Sequence, residues 1–393
     1  MSGEARVPHI MLVAGEPSGD ALGGELMEAL KELTGGRVRI TGAGGPNMIA
    51  QGLSSIFLMS DTSVMGPREV IPRLPLILRR MRETADFAVR ERPDVLVIID
   101  SPDFTHMVAK RVAKRAPDIP IANYVAPSVW AWRRGRARAM ARYIKRVLAL
   151  LPFEPDFFRA EADLDCVYVG HPAIERLPEP GSGLEFRKKH GIAPDAPLLL
   201  LLPGSRTNEV KRLASVFGET AALLAAEIPG LKLVLPTVPH VRHLVEEAVK
   251  GWGVPVELVE GEAEKRAAFD AATAALAASG TVSLELGLAR VPMVVAYKID
   301  PVAAWAVSGL LQVPSVVIVN LILDRPAVRE FLQFAAKPKA LVEALRPLLV
   351  DTPQRERALA DLEDLRHVMG VGGDRPSLRA ARAVLEMLPA SLA

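Results

Sequence analysis

Four short segments carry residue types that could do chemistry. The run "VLVIIDSPDF" closes an apolar stretch on Asp100, with Asp103 three residues later. A carboxylate at the mouth of a buried strand is costly unless it is paired or used. At that place it can take the proton of an attacking hydroxyl. The alternative is that Asp100 or Asp103 caps the next helix, and His106 is either a second base or a residue on that helix's flank. The loop "VAGEPSGDALGG" has the look of a phosphate-binding turn between strand and helix, yet Glu16 and Asp20 stand where a phosphate would sit.

The second half offers anion-binding chemistry. In "LLLLLPGSRTNEVKRL" a buried strand runs into Gly204, Ser205 and Arg206 and then a helix. Gly204 permits close backbone approach. The helix start supplies unpaired N–H groups, and Arg206 adds a planar cation suited to phosphate. An ordinary strand-to-helix turn with a surface arginine is the alternative. "AASGTVSLELG" repeats the logic with Ser279, Gly280 and Thr281, and Glu285 falls one helical turn on, where a carboxylate could accept from ribose hydroxyls. Together the two loops describe a nucleotide site.

Two segments suggest a surface partner. In "NYVAPSVWAWRRGRARAMARYIKR" two tryptophans precede seven basic residues between Arg133 and Arg146. Such a run either attracts anionic head groups or substrate, or is a solvated helix face. "REVIPRLPLILRRMRETADFAVRER" mixes Ile71, Leu74, Leu76, Ile77, Leu78 and Met81 with arginines, the composition of an interfacial amphipathic segment or of a core-facing helix.

The elements that must position these residues follow from the apolar pattern. Short apolar runs alternate with helical stretches, which predicts parallel sheets with helices on both faces. The chain has 393 residues, enough for two cores, and "RLPEPGSG" at 176–183 reads as a linker. The expected fold class is α/β, with two open Rossmann-like domains facing a cleft. The expected domains are residues 1–180 and, on the nucleotide side, 184–350, with residues 351–393 following them. Ligands of such sheets bind at the carboxyl ends of the strands, and every segment above falls there.

Composition narrows the function. Half the residues are hydrophobic and a quarter charged, a globular balance. A formal net charge of +2 is too small to argue for nucleic acid, and no RNA-binding motif is present. One cysteine, Cys166, excludes a disulfide scaffold and a thiolate zinc site and suits a reducing compartment. His240 and His243 lack nearby carboxylate or thiol partners for a metal. The first apolar run reads as a buried strand rather than a signal peptide. The uncharged span 301–323 reads as a core helix and strand rather than a membrane crossing. No G-x-G-x-x-G follows the first strand, so nicotinamide chemistry is discarded.

Taken in order, "GEPSGD", "GAGGPNM", "SVMGPREV", "PDVLVIIDSPDF", "YVAPSVWAWRRGR", "LPFEPDFF", "VGHP", "LLPGSRTNEV", "ASGTVSLE" and "PMVVAYK" cover nearly the whole chain. This set resembles the lipid-A-disaccharide synthase family of inverting glycosyltransferases. The resemblance implies a GT-B-like fold in which residues 1–180 form the acceptor side and the helices at 351–393 could return to that domain. It implies transfer from UDP-2,3-diacylglucosamine to 2,3-diacylglucosamine 1-phosphate, giving a β-1,6 disaccharide 1-phosphate and UDP. It implies Asp100 as general base. Gly204, Ser205, Arg206, Ser279, Gly280, Thr281, Glu285 and Asn320 would lie around the UDP-sugar. Gly15, Glu16, Ser18, Gly19 and Asp20 would lie on the acceptor side, the carboxylates taking sugar hydroxyls, with Gly44 and Gly45 of "GAGGP" as the place for the acceptor's phosphate. No cofactor or metal is expected, because helix ends and Arg206 can stabilise the departing diphosphate. The implied location is cytoplasmic, on the anionic inner-membrane surface, with no nucleic acid and with a homodimer left open. Around Asn320 ("VIVNLIL") and at "AVREFLQ" the chain departs from the family's usual Leu-Pro-Asn and Val-Pro-Glu-Leu-Leu-Gln patterns. The alternatives are another GT-B enzyme acting on a UDP-amino sugar, or a non-catalytic nucleotide-binding protein of the membrane surface. Such a binder would need no Asp100.

Overall fold

The structure is a computed structural model and describes residues 6–63, 67–132, 134–300 and 313–392. Arg133, residues 64–66 of "SVMGPREV" and residues 301–312 of the uncharged span lie outside the described residues.

The chain divides into two units, Met1–Pro172 with Gly372–Ala393, and Ala173–Val371. The first unit holds β1 (His9–Ala14), β2 (Arg39–Ala43), β3 (Val95–Ile99), β4 (Ile121–Tyr124), β5 (Arg146–Ala149) and β6 (Asp165–Tyr168), in the order β2-β1-β3-β4-β5-β6. The second holds β7 (Leu198–Leu202), β8 (Lys232–Thr237), β9 (Glu257–Glu260), β10 (Ala274–Ala277), β11 (Met293–Tyr297) and β12 (Arg329–Leu332), in the order β12-β11-β10-β7-β8-β9. All pairings are parallel. The central strands β1, β3, β7 and β10 are buried along their whole length, as apolar runs covered on both faces must be. The edge strands β2, β6, β9 and β12 carry the exposed charges.

The strand order decides where a ligand can bind. In the first unit the chain places β2 on one side of β1 and then crosses back to place β3 on the other. In the second it lays β8 and β9 on one side of β7 and returns to set β10 on the other. The crossovers leave a crevice outside the carboxyl ends of β1 and β3, and another outside β7 and β10.

Two cores sandwich the first sheet. One packs Met11, Val13, Leu96 and Ile98 against the helices Pro67–Glu91 and Pro102–Arg115. The other packs Ile10, Leu12, Val97 and Ile99 against the helix Pro17–Thr34 and against Ala380, Ala381 and Val384 of the helix Pro376–Leu385. The last helix thus belongs to the first unit, whereas Pro353–Met369 stays in the second. The second sheet's core joins Leu199, Leu201, Leu276 and Val294 to Val210, Phe217 and Leu345.

Candidate functional site

At the first switch point, β1 turns into its helix through Gly15 and Glu16, with Pro17 at the first helical position, where its missing N–H is not needed. Gly19 is the tight spot. A Cβ there would lie 2.9 Å from the Ile99 carbonyl, so only glycine lets this helix start rest on the end of β3. Beyond Ile99 the backbone bends sharply. Asp100 and Ser101 both adopt left-handed conformations, with φ of 51° and 45°. Two successive non-glycine residues there hold strain of order 1–3 kcal/mol each, a feature that clusters at functional sites.

The turn is cross-braced. Ser18 Oγ donates to Asp100 Oδ2 at 2.6 Å, and Ser101 Oγ donates to Glu16 Oε1 at 2.9 Å. Thr105 Oγ1 donates to the Asp100 carbonyl at 2.6 Å. Among the described residues Ser18 is the one hydrogen-bond donor to the Asp100 carboxylate. Asp100 lines a cavity of about 270 Å3 with His106, Trp132 and Arg136. His106 is buried, and its Nδ1 is 2.9 Å from the Tyr143 hydroxyl. Burial, then the charges of Lys110 and Arg136, push its imidazole down to about 4, so it is neutral near neutral pH. His106 is 8% exposed and lines the cavity wall.

Asp20 is placed differently from Glu16 and Ser18. It is 1% exposed, and its carboxylate accepts from Gly45 N (2.7 Å), Met48 N (3.1 Å), Asn47 N (2.9 Å) and Asn47 Nδ2 (2.8 Å). The "GAGGPN" loop does bind an anion, and that anion is Asp20 from the neighbouring helix. The Gly45 amide is thereby taken, and Gly44 N donates to Ser55 Oγ at 3.1 Å.

At the second switch point, Gly204, Ser205, Arg206, Ser279, Gly280, Thr281 and Glu285 all line one cavity of about 720 Å3. Gly204 has φ 111°, and a Cβ there would collide with the Glu209 carboxylate. Glu209 sits on this loop as Asp20 sits on the other. Its Oε2 accepts from Ser205 N (3.2 Å) and Arg206 N (3.3 Å), and its Oε1 accepts from Arg206 Nη1 at 2.8 Å. Arg206 is 71% exposed in its side chain and Glu209 13%. Glu285 pairs with Lys265 at 2.9 Å. Burial lowers the Lys265 ammonium, but the charge and hydrogen bond of Glu285, with help from Glu262, outweigh it and raise it above its usual range. Ser279 Oγ donates to the Val316 carbonyl at 2.8 Å.

Asn320 is outside this cavity. It is 6% exposed and staples its own segment: Nδ2 donates to the Val328 carbonyl (2.9 Å) and to Ser315 Oγ (3.2 Å), while Oδ1 accepts from Val328 N (2.8 Å). Its neighbour Ile318 lines the cavity instead. Sequence reasoning missed Thr237, Glu260, Glu262 and Lys265 on the cavity wall. Thr237 Oγ1 is buried and has no hydrogen-bond partner among the described residues. The available signal was strand order, since β8 and β9 end at the same edge as β7. His240 Nε2 donates to the Ser205 carbonyl at 2.7 Å.

The basic run is partly neutralised within its unit. Arg134 and Arg138 pair with Glu161, and Arg146 with Asp165 and Glu386. Trp130 Nε1 donates to Glu154 Oε1 at 3.0 Å. In the helix Pro67–Glu91, Ile77 and Met81 enter the core, while Ile71 and Leu74 are 69% and 46% exposed. Among the described residues no helix is long and apolar enough to cross a membrane.

Two six-stranded parallel sheets, each with its loops at a switch point, define the GT-B class of glycosyltransferase folds. UDP-GlcNAc 2-epimerase from Neisseria meningitidis, solved bound to UDP-GlcNAc, is similar in fold, with TM-score 0.64 at 11% identity over 96% of this chain and 100% of that one. MurG of Acinetobacter baumannii is similar with TM-score 0.57 at 15% identity over 96% and 99%. The chain belongs to the lipid-A-disaccharide synthase family, whose model, described as Lipid-A-disaccharide synthetase, matches residues 10–375. The Lipid-A-disaccharide synthase of Rhodospirillum centenum is 48% identical over 96% of this chain and 94% of that protein. The protein is therefore a glycosyltransferase of lipid A biosynthesis.

Proposed function

We propose that the protein transfers 2,3-diacylglucosamine from UDP to the 6-hydroxyl of 2,3-diacylglucosamine 1-phosphate, giving a β-1,6 disaccharide 1-phosphate and UDP with inversion. The observation that carries this reading is Asp100. It sits on a strained turn at a switch point, opens onto a cavity, and has Ser18 as its one described donor. One carboxylate oxygen is then held by Ser18 while the other takes the hydroxyl proton as the new C–O bond forms. Backside attack at the anomeric carbon expels UDP, which gives inversion.

The second unit supplies the leaving-group chemistry. The cavity of about 720 Å3 has the size of a nucleotide-sugar pocket. Arg206 and the amide ends of the helices Thr207–Glu227 and Thr281–Leu288 stabilise the developing diphosphate charge. Glu285 receives ribose hydroxyls once Lys265 shares it. Exposed Ile71 and Leu74 beside the arginines of their helix would hold the protein on an anionic membrane surface, where both acylated sugars reside.

Purified protein given both acylated substrates should release UDP and form the disaccharide 1-phosphate. Absence of UDP release under those conditions refutes the reading.

A further inference from the structure

An acceptor that carries a phosphate needs an anion site near Asp100, and the "GAGGP" loop cannot be that site. Its amides at Gly45, Asn47 and Met48 already donate to Asp20, which is buried beneath them. Among the described residues lining the cavities beside Asp100, the cations are Lys110 and Arg136.

We propose that a pocket formed by His106, Lys110, Arg136 and Tyr143 is the phosphomonoester subsite for the acceptor. The inference rests on the acceptor reading above. The Asp100 cavity and a second cavity of about 220 Å3 share Pro102, His106, Pro127, Val129 and Arg136 in their walls, so the two adjoin. Asp100 lines the first, and Lys110 and Tyr143 line the second.

The second cavity has the donors of a phosphate site. His106 and Lys110 are one helical turn apart, about 6 Å along the axis, on one face. Lys110 Nζ lies 5.4 Å over the Tyr143 ring and, among the described residues, has no carboxylate partner. Arg136 has none either, although Arg134 and Arg138 on both sides of it are paired with Glu161. Burial pushes the Tyr143 phenol up to about 12, so its hydroxyl keeps its proton. In the tautomer that accepts from that hydroxyl at Nδ1, the neutral His106 presents Nε2–H as a further donor. Asp103 is the one acid in this wall. The second cavity thus holds two unneutralised cations against one carboxylate.

The test compares Lys110→Ala, Arg136→Ala and Arg136→Lys with the native protein, using acceptors with and without the 1-phosphate. Both cations are on exposed residues, so the variants should fold. Each alanine should raise the acceptor KM roughly ten- to hundredfold, the worth of a charge-assisted hydrogen bond, with the donor KM unchanged. Arg136→Lys should recover most of the loss. With the dephosphorylated acceptor, native and variants should be equal. An equal penalty on both acceptors, or no penalty, overturns the subsite while leaving the reaction intact. In parallel, glucosamine 1-phosphate binding is followed by NMR. If the native protein is inactive yet binds this probe, and the alanine variants do not, the reaction fails and the subsite stands. Probe binding that survives both alanine variants overturns the subsite without any turnover measurement.

Discussion

Replacing Asp20 with asparagine separates two roles for this residue. Its two oxygens each accept two hydrogen bonds, Oδ1 from Gly45 N and Met48 N, Oδ2 from Asn47 N and Asn47 Nδ2. The asparagine amide has nearly the same shape. Whichever way it is turned, its NH2 faces a backbone N–H donor, so at least one bond is lost even if the Asn47 side chain flips, and the bonds that remain lose their charge. A hydrogen bond to a charged group contributes about 1.5–3 kcal/mol, and the stranded donors are buried. The expected loss is about 3–5 kcal/mol, a large share of a typical folding free energy of roughly 5–15 kcal/mol. With a urea slope of about 2 kcal/mol/M, the unfolding midpoint of the first unit should fall by roughly 2 M. Urea unfolding followed by circular dichroism reads this directly, and acceptor KM at low urea reads the rival role. A midpoint within about 0.5 M of the native value, together with a raised acceptor KM, would refute the structural reasoning. Asp20 would then be a ligand for sugar hydroxyls.

Four further outcomes are expected. Asp100→Asn should lower kcat by about 10²–10⁴-fold and leave UDP affinity by calorimetry unchanged; unaltered turnover removes the base role. Glu209→Gln should tighten UDP binding several-fold, because the carboxylate that engages Ser205 N, Arg206 N and the Arg206 guanidinium loses its charge; weaker binding would count against that competition. Glu154 is raised from 4.5 to about 7, first by burial and against its bonds from Leu151, Trp130 and Leu150. Its folded state therefore holds a proton that the unfolded state releases, so its contribution is full below pH 4.5 and lost as pH rises to about 7. That is about 3 kcal/mol of destabilisation across the window, and Glu154→Gln should flatten it in denaturant titrations at pH 5 and pH 8. Finally, the pair Ile71→Ser and Leu74→Ser should weaken sedimentation with anionic vesicles while UDP affinity stays; equal sedimentation would assign those residues another role.

The sheets were readable because a strand covered on both faces must be apolar along its whole length. "LLLLL" and "VLVII" satisfy that throughout and "HIMLVA" from Ile10 on, and they became β7, β3 and β1. The chemistry-bearing loops were readable for a related reason: each directly follows such a strand. What spacing could not show was the partner of each side chain. Asp20 meets amides 25 to 28 residues away, and Lys265 meets Glu285 across 20. These meetings depend on how crossovers order the strands. The same holds for Asn320, which looked like a ligand residue in a changed motif but closes its own loop through Val328. Thr237 gave no local signal at all, being an ordinary strand-end threonine until β8 is set beside β7.

One physical device recurs in the two units with opposite consequences. In each, a carboxylate from a helix neutralises the amides of a glycine loop that would otherwise attract an anion. Asp20 is fully enclosed, and its four donors include three backbone amides that no ligand could compensate without opening the core. Displacing it would strand a buried charge, at several kcal/mol. Glu209 stands at the edge of a large open cavity, its bonds to Ser205 N and Arg206 N are long at 3.2 and 3.3 Å, and its cation partner is mostly in solvent. An exposed pair of this kind is worth about 0–1 kcal/mol, well below what a diphosphate gains from an arginine and a helix start. Burial alone thus makes one loop a permanent brace and leaves the other free to exchange its own carboxylate for a ligand.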